Sequence, residues 1–191
     1  MIHFKFYIKF FKSLYKMKKK KTNLILDLDN TLISSQEYNT FQKNNKMEKF
    51  IYTVMDTEYI VFHRPHLDTF LDFVFKNFNV SVWTAGTKDY ALFIIKHIIL
   101  SKKNRKLDYI LSRFNCNESE FKFGEIKDLN MFHFDKNYNK ENTIIIDDNE
   151  DVIKQNKNNS IQVKPFEYTD RSSYTDKELL KVIQILEISF L

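Results

Sequence analysis

The run Leu24-Ile25-Leu26-Asp27-Leu28 constrains the fold of this chain more than any other stretch. Three consecutive apolar residues leave no polar face, which marks a strand covered on both sides, as in a parallel sheet. It runs into Asp27-Leu28-Asp29-Asn30-Thr31. In such sheets, ligand chemistry sits just beyond the carboxyl ends of the strands. Strand side chains alternate with period two, so Asp27 and Asp29 are expected to project the same way. Carboxylates held that close repel unless a cation neutralises one or a proton sits on the other. Covalent phosphoryl chemistry uses such a pair, one carboxylate attacking phosphorus while its neighbour shuttles a proton. An isolated Asp-x-Asp is more often a plain acidic turn, so the weight falls on the rest of the chain.

Two further strand-like runs end the same way. Val80 to Trp83 leads into Thr84-Ala85-Gly86, and Thr143 to Ile146 leads into Asp147-Asp148. Between and around them lie helical patterns. Leu67, Phe70, Leu71, Val74, Phe75 and Phe78 share one helical face, with Pro65 expected at the first helical position. Thr87 suits the cap of a helix over 88–100, a short helix is expected over 150–156, and a last one over 176–188. That last helix carries an apolar stripe of Leu179, Leu180, Ile183 and Leu186 or Ile185. Residues 34–48 read as a polar loop, 49–53 and 58–62 as a hairpin tipped by Met55-Asp56-Thr57, and 112–124 as a weak second hairpin. Asp108-Tyr109-Ile110 and Ile161-Gln162-Val163 are brief strands. Strands and helices alternate, so the expected class is α/β, a Rossmann-like doubly wound parallel sheet with small β-hairpin insertions and no large cap domain. Asp27, Asp29, Thr31, Thr84, Asp147 and Asp148 then converge on one crevice, with Lys127 on a loop between the last two strand ends. That set holds what a phosphate monoester site needs: a nucleophile, a proton donor, carboxylates for a hard cation, and a hydroxyl and an ammonium for phosphoryl oxygens.

Composition narrows the alternatives. A length of 191 residues suits one domain, and only two Gly and two Pro argue against long linkers. The single Cys116 has no partner for an internal disulfide, which favours a reducing intracellular compartment. The net charge of +5 suggests nucleic acid, but eight lysines and no acid lie within residues 1–21, so residues 22–191 carry −3. No nucleic-acid partner is therefore expected for the folded domain. Residues 1–21 form a basic N-terminal extension, with 22–191 as the domain. Lys5, Lys9, Lys12 and Lys16 fall on one helical face and Phe4, Ile8, Phe11 and Tyr15 on another. That is the pattern of an interfacial membrane helix, so membrane contact through residues 1–16 is a minority reading. An unstructured extension, or a true start at Met17, is the preferred one. His63, His66, His97 and His133 lack metal-ligand spacing, and Arg64 is expected to pair with an acid near its helix start.

Taken in order, the motifs Leu26-Asp27-Leu28-Asp29-Asn30-Thr31-Leu32, Arg64-Pro65-His66-Leu67-Asp68-Thr69-Phe70-Leu71, Trp83-Thr84-Ala85, Lys127-Asp128-Leu129, Ile145-Ile146-Asp147-Asp148 and Pro165-Phe166 resemble the haloacid dehalogenase superfamily. More narrowly they resemble its RNA polymerase C-terminal-domain phosphatase branch, the small protein-serine phosphatases and their NLI-interacting-factor-like relatives. The resemblance implies a Mg²⁺-dependent phosphatase acting on phosphoserine or phosphothreonine in protein, and a monomer is expected. Asp27 would be the nucleophile and Asp29 the general acid and base. Thr84 and Lys127 would hold phosphoryl oxygens. The metal would take the Asp27 carboxylate, the Asp29 backbone carbonyl and Asp148, with Thr31 and Asp147 in support. Asn30 stands where the family usually has Glu, and Gly86 where Ser or Ala is common. A non-catalytic binding module of the same fold, and a phosphatase of small molecules or nucleic-acid ends, remain as other readings.

Overall fold

The computed structural model describes residues 21–41, 47–116 and 126–191. The expectations for residues 1–20, and most of the second hairpin expected at 112–124, lie outside them. Five strands form a parallel sheet: β1 (Asn23–Leu26), β5 (Asn79–Trp83), β6 (Leu107–Leu111), β7 (Thr143–Asp147) and β8 (Ser160–Gln162), in the order β6-β5-β1-β7-β8. The chain leaves β1 toward β5 and β6 on one side and fills β7 and β8 on the other. β1 is thus the topological switch point, where a doubly wound sheet opens a crevice at its carboxyl edge.

The alternation of apolar side chains decides the layering. Leu24 and Leu26, with Val80, Val82, Ile144 and Ile146, face a core closed by helices α1 (Leu67–Asn77), α2 (Lys88–Ile94) and α4 (Glu178–Phe190). Ile25, Trp83 and Ile145 point to the opposite face, covered by α3 (Glu150–Gln155) and a 3₁₀ segment (Leu129–Phe134). Both faces are covered, which is why residues 24–26 of β1 and 144–146 of β7 are apolar on both sides. A second, antiparallel sheet of order β2-β4-β3 stands beside the crevice, made of β2 (Ile33–Glu37), β3 (Tyr52–Met55) and β4 (Tyr59–His63). Its core is aromatic: Phe62 stacks on Tyr168 at 3.9 Å between centroids and meets Phe50 edge-on at 6.0 Å.

Several local expectations change. Residues 34–48 are not all loop, because Ser34 to Glu37 pair with Phe62 back to Tyr59, making β2 an outer strand of the small sheet. Its polar sequence hid it, since only Ile33 and Ser34 are buried. Pro65 lies outside α1, which opens at Leu67 behind His66 in a left-handed conformation (φ 67°). The helix expected over 88–100 passes into a π-turn over Ile95–Ile99. The last helix begins at Glu178 and buries Leu179, Val182 and Leu186, while Ile185 is exposed. Residues 112–116 hold a 3₁₀ turn over Arg113–Asn115. Among the described residues, no helix is long and apolar enough to cross a membrane.

Candidate active site

Asp27, Thr84 and Asp147 sit at strand ends, and the first two are still tied to the neighbouring strand. Asp27 N–H donates to Ile146 O at 3.1 Å, and Thr84 N–H to Leu111 O at 3.0 Å. β5, β1 and β7 are adjacent, so Thr84, Asp27 and Asp147 come from neighbouring carboxyl ends, as the parallel register requires. The turn after Asp27 closes sharply. Asn30 is left-handed (φ 57°), a conformation Asn tolerates better than most residues. Its N–H donates to Ile33 O at 2.7 Å and its carbonyl accepts from Phe166 N–H at 2.7 Å. This local geometry suits Asn at position 30.

A buried ammonium links the two sides of the crevice. Lys127 Nζ donates to Asp27 Oδ1 and to Asp147 Oδ2, the latter at 2.7 Å. Burial alone would pull the Lys127 pKa down, yet Asp27 and Asp147 together hold it well above its ordinary value. Burial and the Asp27 charge push the Asp147 carboxyl up, against the pull of Lys127. Lys127 lies on a loop, and a side chain that sequence reasoning passed over anchors it. Buried Asn156, at the end of α3, donates Nδ2 to Lys127 O at 2.6 Å and accepts from Leu129 N–H at 3.1 Å.

Asp148 approaches from the same strand end. Thr31 Oγ1 donates to its Oδ1 at 3.0 Å, so Thr31 fastens the first turn to the last strand. Carboxylate oxygens of Asp27, Asp147 and Asp148 lie within 4.8 Å of one another. The Asp148 carboxyl is pushed up by burial and then by the charge of Asp27. Hard carboxylate oxygens at this spacing, with excess negative charge, fit a Mg²⁺ ion. Asp147 is already engaged by Lys127 and by Asn149 N–H at 2.9 Å, which leaves Asp27 and Asp148 as the better ligands. Neither Asp147 nor Asp148 caps α3; Asn149 does, accepting from Asp151 N–H at 2.9 Å.

The Asp29 carboxylate stands outside that acidic group. Its Oδ1 accepts from Tyr90 Oη at 2.5 Å and from Ser35 Oγ at 3.1 Å. Burial pushes the Asp29 carboxyl above the usual range; the Tyr90 bond pulls the other way, and the Asp27 charge adds to the rise. The two aspartates of the first turn are thus placed in different surroundings, one against an ammonium and one against hydroxyls. Neither Tyr90 nor Ser35 was visible as a site residue in the sequence. Tyr90 lies in the first turn of α2, where side chains lean back toward the helix start, and that was the one available signal. Thr84 is buried, and its hydroxyl accepts from Gly86 N–H at 2.9 Å.

Arg64 has a different partner from the one expected. It is buried and reaches Asp176, 112 residues away, through two bonds of 3.1 and 3.0 Å. It also donates to Thr31 O at 2.9 Å and Lys164 O at 2.8 Å. It braces the turn after Asp27 from behind.

The chain is 41% identical over 179 residues to a CTD phosphatase-like protein of Invertebrate iridescent virus 3, covering 88% of this chain and 96% of that one. It is 30% identical over 185 residues to nuclear envelope morphology protein 1 of Saccharomyces cerevisiae, covering 88% of this chain but 39% of the yeast protein. The solved structure of Fcp1, an essential RNA polymerase II CTD phosphatase, superposes with a TM-score of 0.61 at 22% identity, covering 92% of this chain and 52% of that one. That likeness shows a shared fold. The family description "NLI interacting factor-like phosphatase" matches residues 22–190, and the chain belongs to that phosphatase family.

Proposed function

We propose that this chain hydrolyses phosphoserine and phosphothreonine monoesters on protein, in a Mg²⁺-dependent reaction that passes through a phosphoaspartate on Asp27. The observation that carries the reading is the division of labour between Asp27 and Asp29. Asp27 is aligned at the switch-point strand by Lys127 and lies beside Asp147 and Asp148. Asp29 is turned toward Tyr90 and Ser35 and biased toward its protonated form by burial. A carboxylate nucleophile beside a carboxylic acid is what two-step monoester hydrolysis requires.

In the first half-reaction an Asp27 oxygen attacks phosphorus as the bond to the leaving serine oxygen breaks. Asp29 gives that oxygen its proton. In the second, Asp29 takes a proton from water, which attacks phosphorus and releases Asp27. Lys127 and the Thr84 hydroxyl hold phosphoryl oxygens, with Asn156 keeping the Lys127 loop in place. Mg²⁺, held by the Asp27 and Asp148 carboxylates and the Asp29 carbonyl, supplies positive charge at the phosphoryl group when bound. The CTD phosphatase-like viral relative, and the shared fold with Fcp1, an RNA polymerase II CTD phosphatase, favour a protein substrate over a small one. The domain is read as residues 22–191, working as a monomer.

The test is turnover of p-nitrophenyl phosphate, phosphopeptides, nucleotides and 5′-phosphorylated oligonucleotides side by side, with and without chelator. Phosphopeptides are expected to be the best substrates and activity to require Mg²⁺. Asp27→Asn is expected to abolish turnover, since monoester hydrolysis has almost no uncatalysed background. Wild-type protein inert over several metals would refute the reading.

A further inference from the structure

We infer that Tyr90 is a positioning residue that, together with Ser35, binds one oxygen of Asp29 so that the other carries the transferable proton. This rests on the proposed role of Asp29 and extends it. Both hydroxyls donate to the same atom, Oδ1, at 2.5 Å from Tyr90 and 3.1 Å from Ser35. Among the described residues, Oδ2 receives no side-chain hydrogen bond. An oxygen that already accepts two hydrogen bonds has little capacity left for a proton, so when Asp29 serves as the acid it is Oδ2 that is free to carry and deliver one. When the bond between phosphorus and the leaving oxygen breaks, its electron pair goes to that oxygen, which takes the proton from Oδ2. In the second half-reaction, Oδ2 takes a proton back from the attacking water.

The clamp comes from parts of the fold that share no sequence neighbourhood. Tyr90 stands in the first turn of α2, its N–H donating to the Thr87 cap at 3.4 Å. Ser35 stands on β2 of the small sheet, and Tyr59 at the start of β4 meets the Tyr90 ring edge-on, 5.3 Å between centroids. Gly86 closes the third side. A Cβ there would stand 2.9 Å from Tyr90 Cδ1, closer than real contacts allow, so only glycine leaves the ring in this position. The Tyr90 side chain is thus held on several sides with its hydroxyl aimed at one atom. A core tyrosine with a merely satisfied hydroxyl needs no such convergence on the acid. The small sheet therefore does more than flank the crevice: it sets the direction in which Asp29 can deliver a proton.

Tyr90→Phe keeps the ring and its packing, so it isolates the hydroxyl. The experiment compares phenyl phosphate, whose leaving group needs a proton, with p-nitrophenyl phosphate, whose leaving group departs as a stable anion. The phosphorylation step is read from the pre-steady-state burst or single turnover. The loss in Tyr90→Phe is expected to be at least about fivefold larger on phenyl phosphate, a share of the ~10²–10⁴ that general acid–base catalysis supplies. Ser35→Ala is expected to show the same pattern more weakly, and Tyr90→Phe to add no further loss in an Asp29→Asn background. Equal losses on both substrates, or additive losses with Asp29→Asn, would overturn the inference while leaving the phosphatase reading intact. A wild-type protein inert on every monoester would remove both.

Discussion

Replacing Arg64 by Met should be among the most damaging single changes outside the acidic group. The guanidinium is fully buried, and its partner Asp176 keeps 15% of its side chain exposed. Removing one member of a buried pair costs about 3–5 kcal/mol, because the other charge is left without compensation. The residual exposure of Asp176 points to the lower half of that range. The loss of a donor at Thr31 O and Lys164 O, each worth about 1 kcal/mol or more, moves it back up. A total near 4 kcal/mol, at roughly 2–4 °C per kcal/mol for a domain of this size, lowers Tm by about 8–16 °C. The double variant Arg64→Met/Asp176→Leu should recover at least about half of that loss, since no buried charge is then unpaired. The pH dependence has a definite sign. Burial works against the Asp176 carboxylate, but hydrogen bonds and charge from Arg64 hold it below the usual range. Its contribution is present above the unfolded-state value of about 3.9 and is lost as pH falls through the lower folded-state value, so the gap between wild type and variant narrows in acid. Calorimetry at neutral and acid pH reads all three quantities. A single variant within about 2 °C of wild type, or a double variant no better than the single, would refute the argument.

Three further outcomes follow from the site. Asp29→Asn should retain Mg²⁺ binding, measured by calorimetry, while slowing both half-reactions by about 10²-fold or more on a phosphoserine peptide. Burial first, and then neighbouring charge, raises Asp147 and Asp148, and burial raises Asp29. Their folded forms bind protons more tightly than the unfolded chain, so without metal stability should fall as pH rises from about 4 toward neutrality. Added Mg²⁺ should reverse much of that fall, and thermal melts across pH with and without the ion show it; a flat metal-free profile would contradict it. Gly86→Ala should lower turnover with little loss of Tm, because the new Cβ presses on the Tyr90 ring and, at 3.2 Å, on the Thr84 hydroxyl; unchanged kinetics would mean that neither needs its present place.

What the sequence determined by itself was the set of strand ends. β1, β5 and β7 are central strands with both faces covered, so their largely apolar runs mark them as buried, and the polar residues that stop them lie at one edge of the sheet. The positions of Asp27, Thr84 and Asp147 follow from local pattern and parallel topology alone. The capping of α2 by Thr87 is local chemistry too, and was equally legible. Other features depended on pairing between distant segments. β2 is polar and half-covered, and only its ladder with β4 makes it a strand. Arg64 has Asp68 four residues on but pairs with an acid 112 positions away, because the packing of α4 against α1 brings the start of α4 to it. Asp29 showed its carboxylate in the sequence but not its orientation. That depends on hydroxyls from α2 and β2, which have no periodicity linking them to the first turn and meet it only when the small sheet folds against the large one. Hydrophobic periodicity records which face of an element is buried, while the direction of a buried polar side chain is set by whichever partner the tertiary fold brings within about 3 Å of it.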